Sequence, residues 1–424
     1  MKKRFAVSML ALASLALVAC GGGESTDKPT EKPTEPVGTK DTIVIGSPTT
    51  NHAFVQKQVN DFLKAEGLDA KYEVKMYDLN ETEVTNITDW SAPTAPDIYS
   101  FPSDVLGKLK GNGAVSVVPD AFVDEMKANF NETAVGAATI GQDVYGYPFS
   151  GDNGYFLYYN KDIVAENQTD TVDNIVAACA AQGTKFAYAL DTDSTFFSIG
   201  TFMSFGSRYE VKLNKDGTFA SASSTFADAT GIKAAEGVYN LLHNENIITT
   251  HKGGRDVAPT KANKIGAIVE GSWKYDAYKK ELGDKLGLCK LPTITVGEET
   301  KNLSSFLGYK IYGVNDKKSA ENSERLIALH KVANFLASEK TQEARFDELT
   351  VIPTNKKVAA SENVKSSDLA QALFAQSEFS VAQTITPNQI WTAAATAVDS
   401  LKTSNDFAAI MKTFDETIKA STGF

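Results

Sequence analysis

The chain has 424 residues, with 42 basic side chains against 53 acidic ones and a net charge of −11. That balance argues against a nucleic-acid binder, which needs a basic face to meet phosphates. A 42% hydrophobic fraction supplies a large core, and three cysteines are too few for a disulfide scaffold, which excludes chain-long disorder and a stapled mini-protein.

Length suggests two or three domains at about 150 residues each. Lys2, Lys3 and Arg4 precede an apolar run from Phe5 to Val18. The run is too short to cross a bilayer comfortably and reads as a signal peptide over residues 1–19. Leu17-Val18-Ala19-Cys20 resembles a bacterial lipobox, in which the cysteine becomes the first mature residue and carries lipid. Acyl chains gain about 0.8 kcal/mol per buried methylene, so an acylated Cys20 anchors without a transmembrane helix. Residues 20–41 repeat Lys-Pro-Thr-Glu at Lys28–Glu31 and Lys32–Glu35. Val37 is their one large aliphatic residue, so they read as a disordered tether. At about 3.1 Å per extended residue, such a tether holds the body tens of ångströms from the membrane. The expected location is outside the cytoplasmic membrane, held there by lipid.

From Thr42 the pattern alternates. Thr42–Gly46 is a continuous apolar strand, followed by a helix that Asn51 could cap, with Val55, Val59, Phe62 and Leu63 on one face. Tyr72–Met76, Asp97–Phe101 and Gly154–Asn160 read as strands. A helix over Thr171–Gln182 stops at Gly183, before a strand at Phe186–Leu190. Lys215-Asp216-Gly217 signals a hairpin. Ile232, Ala235, Tyr239 and Leu242 form a helical stripe, Ile265–Val269 a strand, and Trp273–Leu282 a helix. Leu326, Leu329, Ala333 and Leu336 line a long helix. Thr386 and Pro387 open another as cap and first residue, with Gln389 completing a capping box. This alternation implies an α/β fold with mostly parallel sheets and two lobes.

Catalytic signatures are mostly absent. There is no phosphate loop, nucleophile elbow, paired-cysteine zinc site or His-Glu-x-x-His. His52, His243, His251 and His330 are scattered. Asp191-Thr192-Asp193 starts like a calcium loop but lacks the later Gly and Glu, so it reads as a turn. Cys179 and Cys289 read as small buried residues, with a disulfide between them as the alternative.

Aromatic and acidic residues gather where strands end, and ligands of open α/β sheets bind there. Phe101, Ser103 and Asp104 follow one strand, Ser272 and Trp273 another, and Trp90 lies in a polar loop. Sugars suit such a lining, with C–H faces on rings and hydroxyls bonded to Asp, Asn and Tyr. Trp391 stands beside the stripe Ile390, Ala394, Ala397 and Leu401, about 100° round from Ile390.

Several segments resemble the maltose-type extracellular solute-binding proteins of ABC importers. They are Ala95-Pro96-Asp97-Ile98 with Phe101 and Asp104; Tyr145-Gly146-Tyr147-Pro148 with Leu157–Asp162; and Gly266-Ala267-Ile268 with Gly271-Ser272-Trp273. Leu291-Pro292, Phe335–Gln342 with Ile352-Pro353-Thr354, and Trp391 follow in order. The resemblance implies a two-lobed periplasmic-binding-protein-like fold with the ligand cleft between the lobes. It implies an N-lobe of 42–152 plus 295–351 and a C-lobe of 153–294 plus 352–424. It also implies a monomer that binds carbohydrate and meets permease subunits, with no catalytic residue, cofactor, metal or nucleic acid. By position, Phe101, Trp273 and Trp391 would stack on sugar, Asp104 and Asn153 would bond hydroxyls, and Phe196 and Phe197 would be aromatic subsite residues. Val105 stands where maltose binders have arginine, Asn153 and Ser194 where they have glutamate, and Thr392 where they have tyrosine. Malto-oligosaccharide is the first expected ligand and another oligosaccharide or polar solute the second. A surface glycoside-active enzyme and an adhesin are the rival classes.

Overall fold

The computed structural model describes residues 40–424 except 215, 251–256, 316 and 319–322. The expected signal peptide, Cys20, nearly all of the tether, Lys215 and His251 lie outside the described residues. Lys40–Phe424 forms one unit in itself.

Its frame is a ten-stranded mixed sheet. The strands are β1 (Asp41–Ser47), β2 (Tyr72–Asp78), β3 (Ile98–Pro102), β4 (Tyr147–Asn160) and β5 (Phe186–Ala189). They continue with β6 (Ile247–Ile248), β7 (Ile265–Gly271), β8 (Leu286–Cys289), β9 (Ser305–Val314) and β10 (Ser380–Ala382). Their order is β6-β5-β7-β4-β9-β3-β1-β2, with β8 added on β4 and β10 on β9. β1 runs parallel to β2 and β3, and β5 parallel to β6 and β7. β4 and β9 break the expected parallel rule. They pair antiparallel with each other, β4 also with β7 and β8, and β9 with β3. The antiparallel pairs lie at the crossing, whereas parallel order belongs to the βαβ units inside each lobe and to the short β10 on β9.

β4 is fourteen residues long, twice the expected Gly154–Asn160. Its first half pairs with β9 and its second half with β7 and β8. β9 is irregular at Gly308–Ile311, where its register on β4 shifts. Buried side chains form separate cores on the two sides of this crossing. One draws on Ile43–Phe149 and Ile311–Ala337. The others draw on residues from Tyr155 to Phe306 and from Phe346 to Ile418. The chain therefore builds two lobes with a cleft between them.

The helices cover these cores. They include α1 (His52–Ala65), α2 (Thr195–Phe202), α3 (Ser323–Leu336), α4 (Asn388–Leu401) and α5 (Phe407–Lys419). In α1 the buried face is Phe54, Val55, Val59 and Leu63, and Phe62 stacks on Phe335 at its edge. Asn51 makes no side-chain cap. On α4 the stripe Ile390, Ala394, Ala397 and Leu401 is buried as its spacing requires. The expected Thr386 cap is not formed. Pro387 takes the cap position, while Thr386 Oγ1 bonds Tyr209 OH at 2.8 Å and donates to Thr384 O. The helix over Ala229–Leu242 buries Ala234, Ala235, Val238 and Leu241, so its packed face is turned from the expected stripe and leaves Ile232, Tyr239 and Leu242 half-buried.

Cys179 and Cys289 are free, so the alternative disulfide is not formed. Burial pushes both thiols up to about 11, which keeps them unreactive. His330, on α3, is a core residue whose ring nitrogens meet Ser116 Oγ at 3.1 Å and Tyr147 OH at 2.9 Å.

Candidate functional site

The sequence-predicted residues separate into those that stay at a surface and those that sink into a core. Trp273 is 41% exposed. It sits in the turn after β7, held because Ser272 Oγ donates to Asp152 O on β4 at 2.7 Å. Gly271 before it leaves room for the indole, since a Cβ there would lie 2.2 Å from the ring. Phe196, at the start of α2, is half-buried, with its ring 6.2 Å from Trp273. Trp391, in the first turn of α4, is also half-buried. Phe306 on β9 lies beneath both. It stacks on Phe196 at 5.8 Å and meets Trp391 edge-on at 5.9 Å. Trp273, Phe196, Phe306 and Trp391 thus form a continuous aromatic row. Tyr155 fixes its middle, with its ring 5.1 Å from Phe196 and its hydroxyl donating to Phe196 O at 3.2 Å.

Phe101 and Phe197 do not join the row. Phe101 is fully buried beside Tyr99, and Phe197 is 1% exposed against Tyr155. Neither ring has a free face for a ligand. Trp90 is likewise core, 4.5 Å from Tyr99. On β3 the burial is explained by its central place in the sheet, where both faces are covered and alternation disappears. On α2 neighbouring phenylalanines point about 100° apart, so only one can join the row.

The polar part of the site is built from Asp104, Asn153 and Gln383, all nearly buried. Asp104 stands in the helical turn after β3, and Asn153 stands on β4. Asn153 Nδ2 donates to Gln383 Oε1 at 2.6 Å, and the Gln383 backbone carbonyl accepts from Ser103 Oγ, next to Asp104, at 3.0 Å. Desolvation pushes the Asp104 carboxyl up to about 7, against the opposing hydrogen bonds. Its Oδ1 has no partner. An unpartnered buried acceptor is costly, about 1–3 kcal/mol, unless something else supplies a donor.

A charged pair lies close to the register shift of β9. Lys310 Nζ is 3.4 Å from Glu81. Burial works against its charge, yet Glu81 and Asp152 outweigh that and hold its pKa above the ordinary lysine value. Ser150 Oγ donates to the Asp152 carboxylate. Asp191 accepts from Ser194 N at 3.3 Å, the expected turn. Among the described residues no cluster of three or more His, Cys, Asp or Glu could hold a metal ion.

Phe306 and Gly308 are two residues apart on β9 and so share one face of the strand. A Cβ on Gly308 would lie 2.5 Å from Gln383 Oε1 and 3.3 Å from Asn153 Nδ2. The aromatic row and the polar group therefore converge on one face of one crossing strand. Phe306, Gln383 and Tyr155 carry no signal of this in the sequence.

Residues 57–372 match the family described as bacterial extracellular solute-binding protein. The chain belongs to that family. A galactooligosaccharide-binding protein of Bacillus subtilis (strain 168) is 26% identical over 414 residues, covering 95% of this chain and 93% of that one. A maltooligosaccharide ABC transporter solute-binding lipoprotein of Streptococcus pneumoniae (strain ATCC BAA-255 / R6) is 24% identical over 450 residues, covering 100% and 99%. A solved structure with acarbose is 25% identical, covers 90% of this chain and 99% of that chain, and superposes with a TM-score of 0.77. For this solute-binding protein, Trp273, Phe196, Trp391, Asp104 and Asn153 are the expected site residues that gather on or beside the crossing strands.

Proposed function

We infer that this solute-binding protein captures an oligosaccharide between its lobes and presents it to the membrane subunits of an ABC importer. The observation that carries this reading is the shared face of β9, where half-exposed aromatic rings adjoin a buried polar group with an open acceptor. Sugars need that combination, because each pyranose has an apolar C–H face and a rim of hydroxyl donors. The related galactooligosaccharide and maltooligosaccharide binders, both nearly full-length matches, support the same ligand class.

A malto-oligosaccharide is the first ligand. A galacto-oligosaccharide is the second, favoured by the 26% identical relative and by Val105, Asn153, Ser194 and Thr392, which depart from the maltose-binding pattern. Titration calorimetry with maltotriose, maltotetraose and galactotriose tests the reading. Binding of one of them in the micromolar range or tighter is expected. Absence of heat with all three, alongside no rise in melting temperature, overturns it. Intact sugar after prolonged incubation separates capture from glycoside cleavage.

Anchoring belongs to the same proposal. Among the described residues no helix is long and apolar enough to cross a membrane. Lipid on Cys20 holds the monomeric protein outside the cytoplasmic membrane, and residues 21–40 act as the spacer, since Asp41 already belongs to β1. Cys20→Ser releases or misprocesses the protein, read by fractionation. A Cys20→Ser chain that stays fully in the membrane fraction overturns the anchor.

A further inference from the structure

We propose that Ser272 is a positioning residue of the site: its hydroxyl, bonded to the Asp152 carbonyl on β4, fixes the orientation in which the Trp273 indole meets a ligand and the place of that ring relative to Asn153. The inference rests on reading the cleft as a carbohydrate site.

The geometry starts where a ladder ends. β7 pairs antiparallel with β4 as far as Gly271 opposite Tyr155. The chain then leaves the sheet in a short helical turn over Ser272–Lys274. A strand that turns away abandons acceptors on its partner, and a buried carbonyl without a donor is costly. Ser272 and Asp152 are both buried. Ser272 Oγ donates to Asp152 O at 2.7 Å, so a side chain supplies a bond that the ladder no longer makes. Farther along β4, Tyr158 OH donates to Gly271 O at 3.0 Å. The turn that carries Trp273 is thus tied to β4 at two consecutive residues.

The indole is confined as a result. Trp273 is the most exposed ring of the aromatic row, and an exposed side chain on a loose turn would sample several rotamers. Here its benzo ring folds back over the Gly271 backbone, where a Cβ would collide with Trp273 Cε2, Cζ2 and Cη2. Gly271 has φ −80°, which any residue adopts, so glycine is needed there for space. Phe196 bounds the indole on another side. A ring held in one orientation before binding loses less rotamer freedom when sugar stacks on it.

The same bond reaches the polar group. The Asp152 carbonyl and the Asn153 N–H belong to one peptide plane, and Asn153 Nδ2 donates in turn to Gln383 Oε1 at 2.6 Å. A shift of the Ser272 turn therefore moves the stacking ring relative to the Asn153 amide, and a rigid pyranose is sensitive to that spacing. Ser272 gives its one proton to Asp152, so it acts through Trp273 rather than on the ligand.

The chain has three tryptophans, so protein labelled with 5-fluorotryptophan gives three fluorine resonances. Trp273→Phe and Trp391→Phe assign two of them and leave Trp90 as the third. Ser272→Ala, Gly271→Ala, Trp273→Ala and the double variant Ser272→Ala/Trp273→Ala are compared with wild type, with maltotriose and galactotriose as probes. In sugar-free Ser272→Ala the Trp273 resonance is expected to shift or broaden while those of Trp90 and Trp391 stay in place. Affinity is expected to fall about fivefold, the worth of one hydrogen bond. In the Trp273→Ala background the same change should matter less than about twofold, because residues that act through one another are not additive. Gly271→Ala keeps the Ser272 hydroxyl and reaches the ring from the other side, so it should move the same resonance and weaken binding.

Unchanged affinity in Ser272→Ala overturns the inference and leaves the carbohydrate reading standing. Equal fold losses with and without the Trp273 ring do the same, because a merely structural hydroxyl is blind to that ring. A Trp273 resonance that stays in place in Ser272→Ala also overturns it, as does Gly271→Ala binding as tightly as wild type with the resonance moved. Failure of wild type to bind either sugar overturns the carbohydrate reading, and the inference falls with it whatever the resonances do.

Discussion

Trp391 meets Phe306 edge-on, with ring centroids 5.9 Å apart at 64°, and keeps part of its own face open. Phe306 is fully buried while Trp391 is not. The buried ring thus acts as a floor and the tryptophan as a wall.

That arrangement separates binding from folding at Trp391. Trp391→Ala is expected to weaken sugar binding by about tenfold to a hundredfold, the 1–3 kcal/mol expected of a lost aromatic stack. Ligand-free stability should fall by less than the roughly 3–5 kcal/mol of a fully buried aromatic, because the core stripe of α4 remains. Trp273→Ala, at the more exposed end of the row, should lose affinity with still less change in stability. Calorimetry beside denaturant melts of the empty protein measures both. Large destabilisation with affinity preserved would make Trp391 a core plug.

Asp104 sets a cost against a use. Its folded carboxyl titrates near 7, pushed up by desolvation, against an unfolded value of 3.8. Between those values the folded state holds a proton that the unfolded state has released. Stability from this group is therefore fully present below about pH 4 and is lost as pH rises through 7. Asp104→Asn removes the desolvated charge. It is expected to raise stability by on the order of 2–4 kcal/mol at pH 8 and by much less at pH 4. The same change should weaken sugar binding about tenfold or more, because a charge-assisted bond becomes a neutral one. A variant less stable than wild type at pH 8 would contradict the account.

His330 pulls the other way over an overlapping range. Burial lowers its ring to about 4, from the ordinary 6.5. The unfolded ring takes up a proton below 6.5 and the folded ring does not, so stability is fully present above 6.5 and is lost as pH falls toward 4. Each group contributes a slope of about 1.4 kcal/mol per pH unit, with opposite signs. From pH 4 to 6.5 they offset. His330→Gln should expose the Asp104 slope, so that stability falls with rising pH in that window. Melts at half-unit pH steps test this, and slopes identical to wild type would mean the ring is protonated in the folded protein.

The helices and most strands were legible because their signal is local. The stripe on α4 and the open position of Trp391 beside it follow from 3.6-residue spacing. Trp273 was legible from a strand end. Phe101 was not separable from a site residue, because β3 is buried on both faces and leaves no alternation to read. Phe196 and Phe197 are adjacent, and only the packing of α2 on Tyr155 and Phe306 decides which one joins the row. Gln383 and Phe306 were invisible for a different reason. They enter through β9 and the residue after the three-residue β10, and their roles depend on register between segments 75 residues apart. Thr386 resembled a helix cap, yet Tyr209 and Thr384 take its hydroxyl, a tertiary contact overriding a local one.

Lobe closure is the last expectation. The cores on the two sides of the crossing are separate, and β4 and β9 run through both sides of the sheet. The β9 register shift at Gly308–Ile311 weakens the ladder where the lobes join, and the site residues Asn153 and Gln383 sit at that place. A ligand touching both Asp104 on one side and Trp273 and Trp391 on the other gains contacts only when the lobes approach. Such a ligand has different affinities for open and closed states, which is the requirement for driving the change. Small-angle scattering of the body from Lys40 onward should therefore show a more compact particle with the cognate sugar than without it. The melting transition should rise as well, since a ligand at a hundredfold excess over its Kd adds about 2.7 kcal/mol. Trp391→Ala and Asp104→Asn should need more sugar to reach the same compaction, each removing contacts from one side of the cleft. Tight sugar binding with a scattering curve unchanged would place the ligand within one lobe and refute closure.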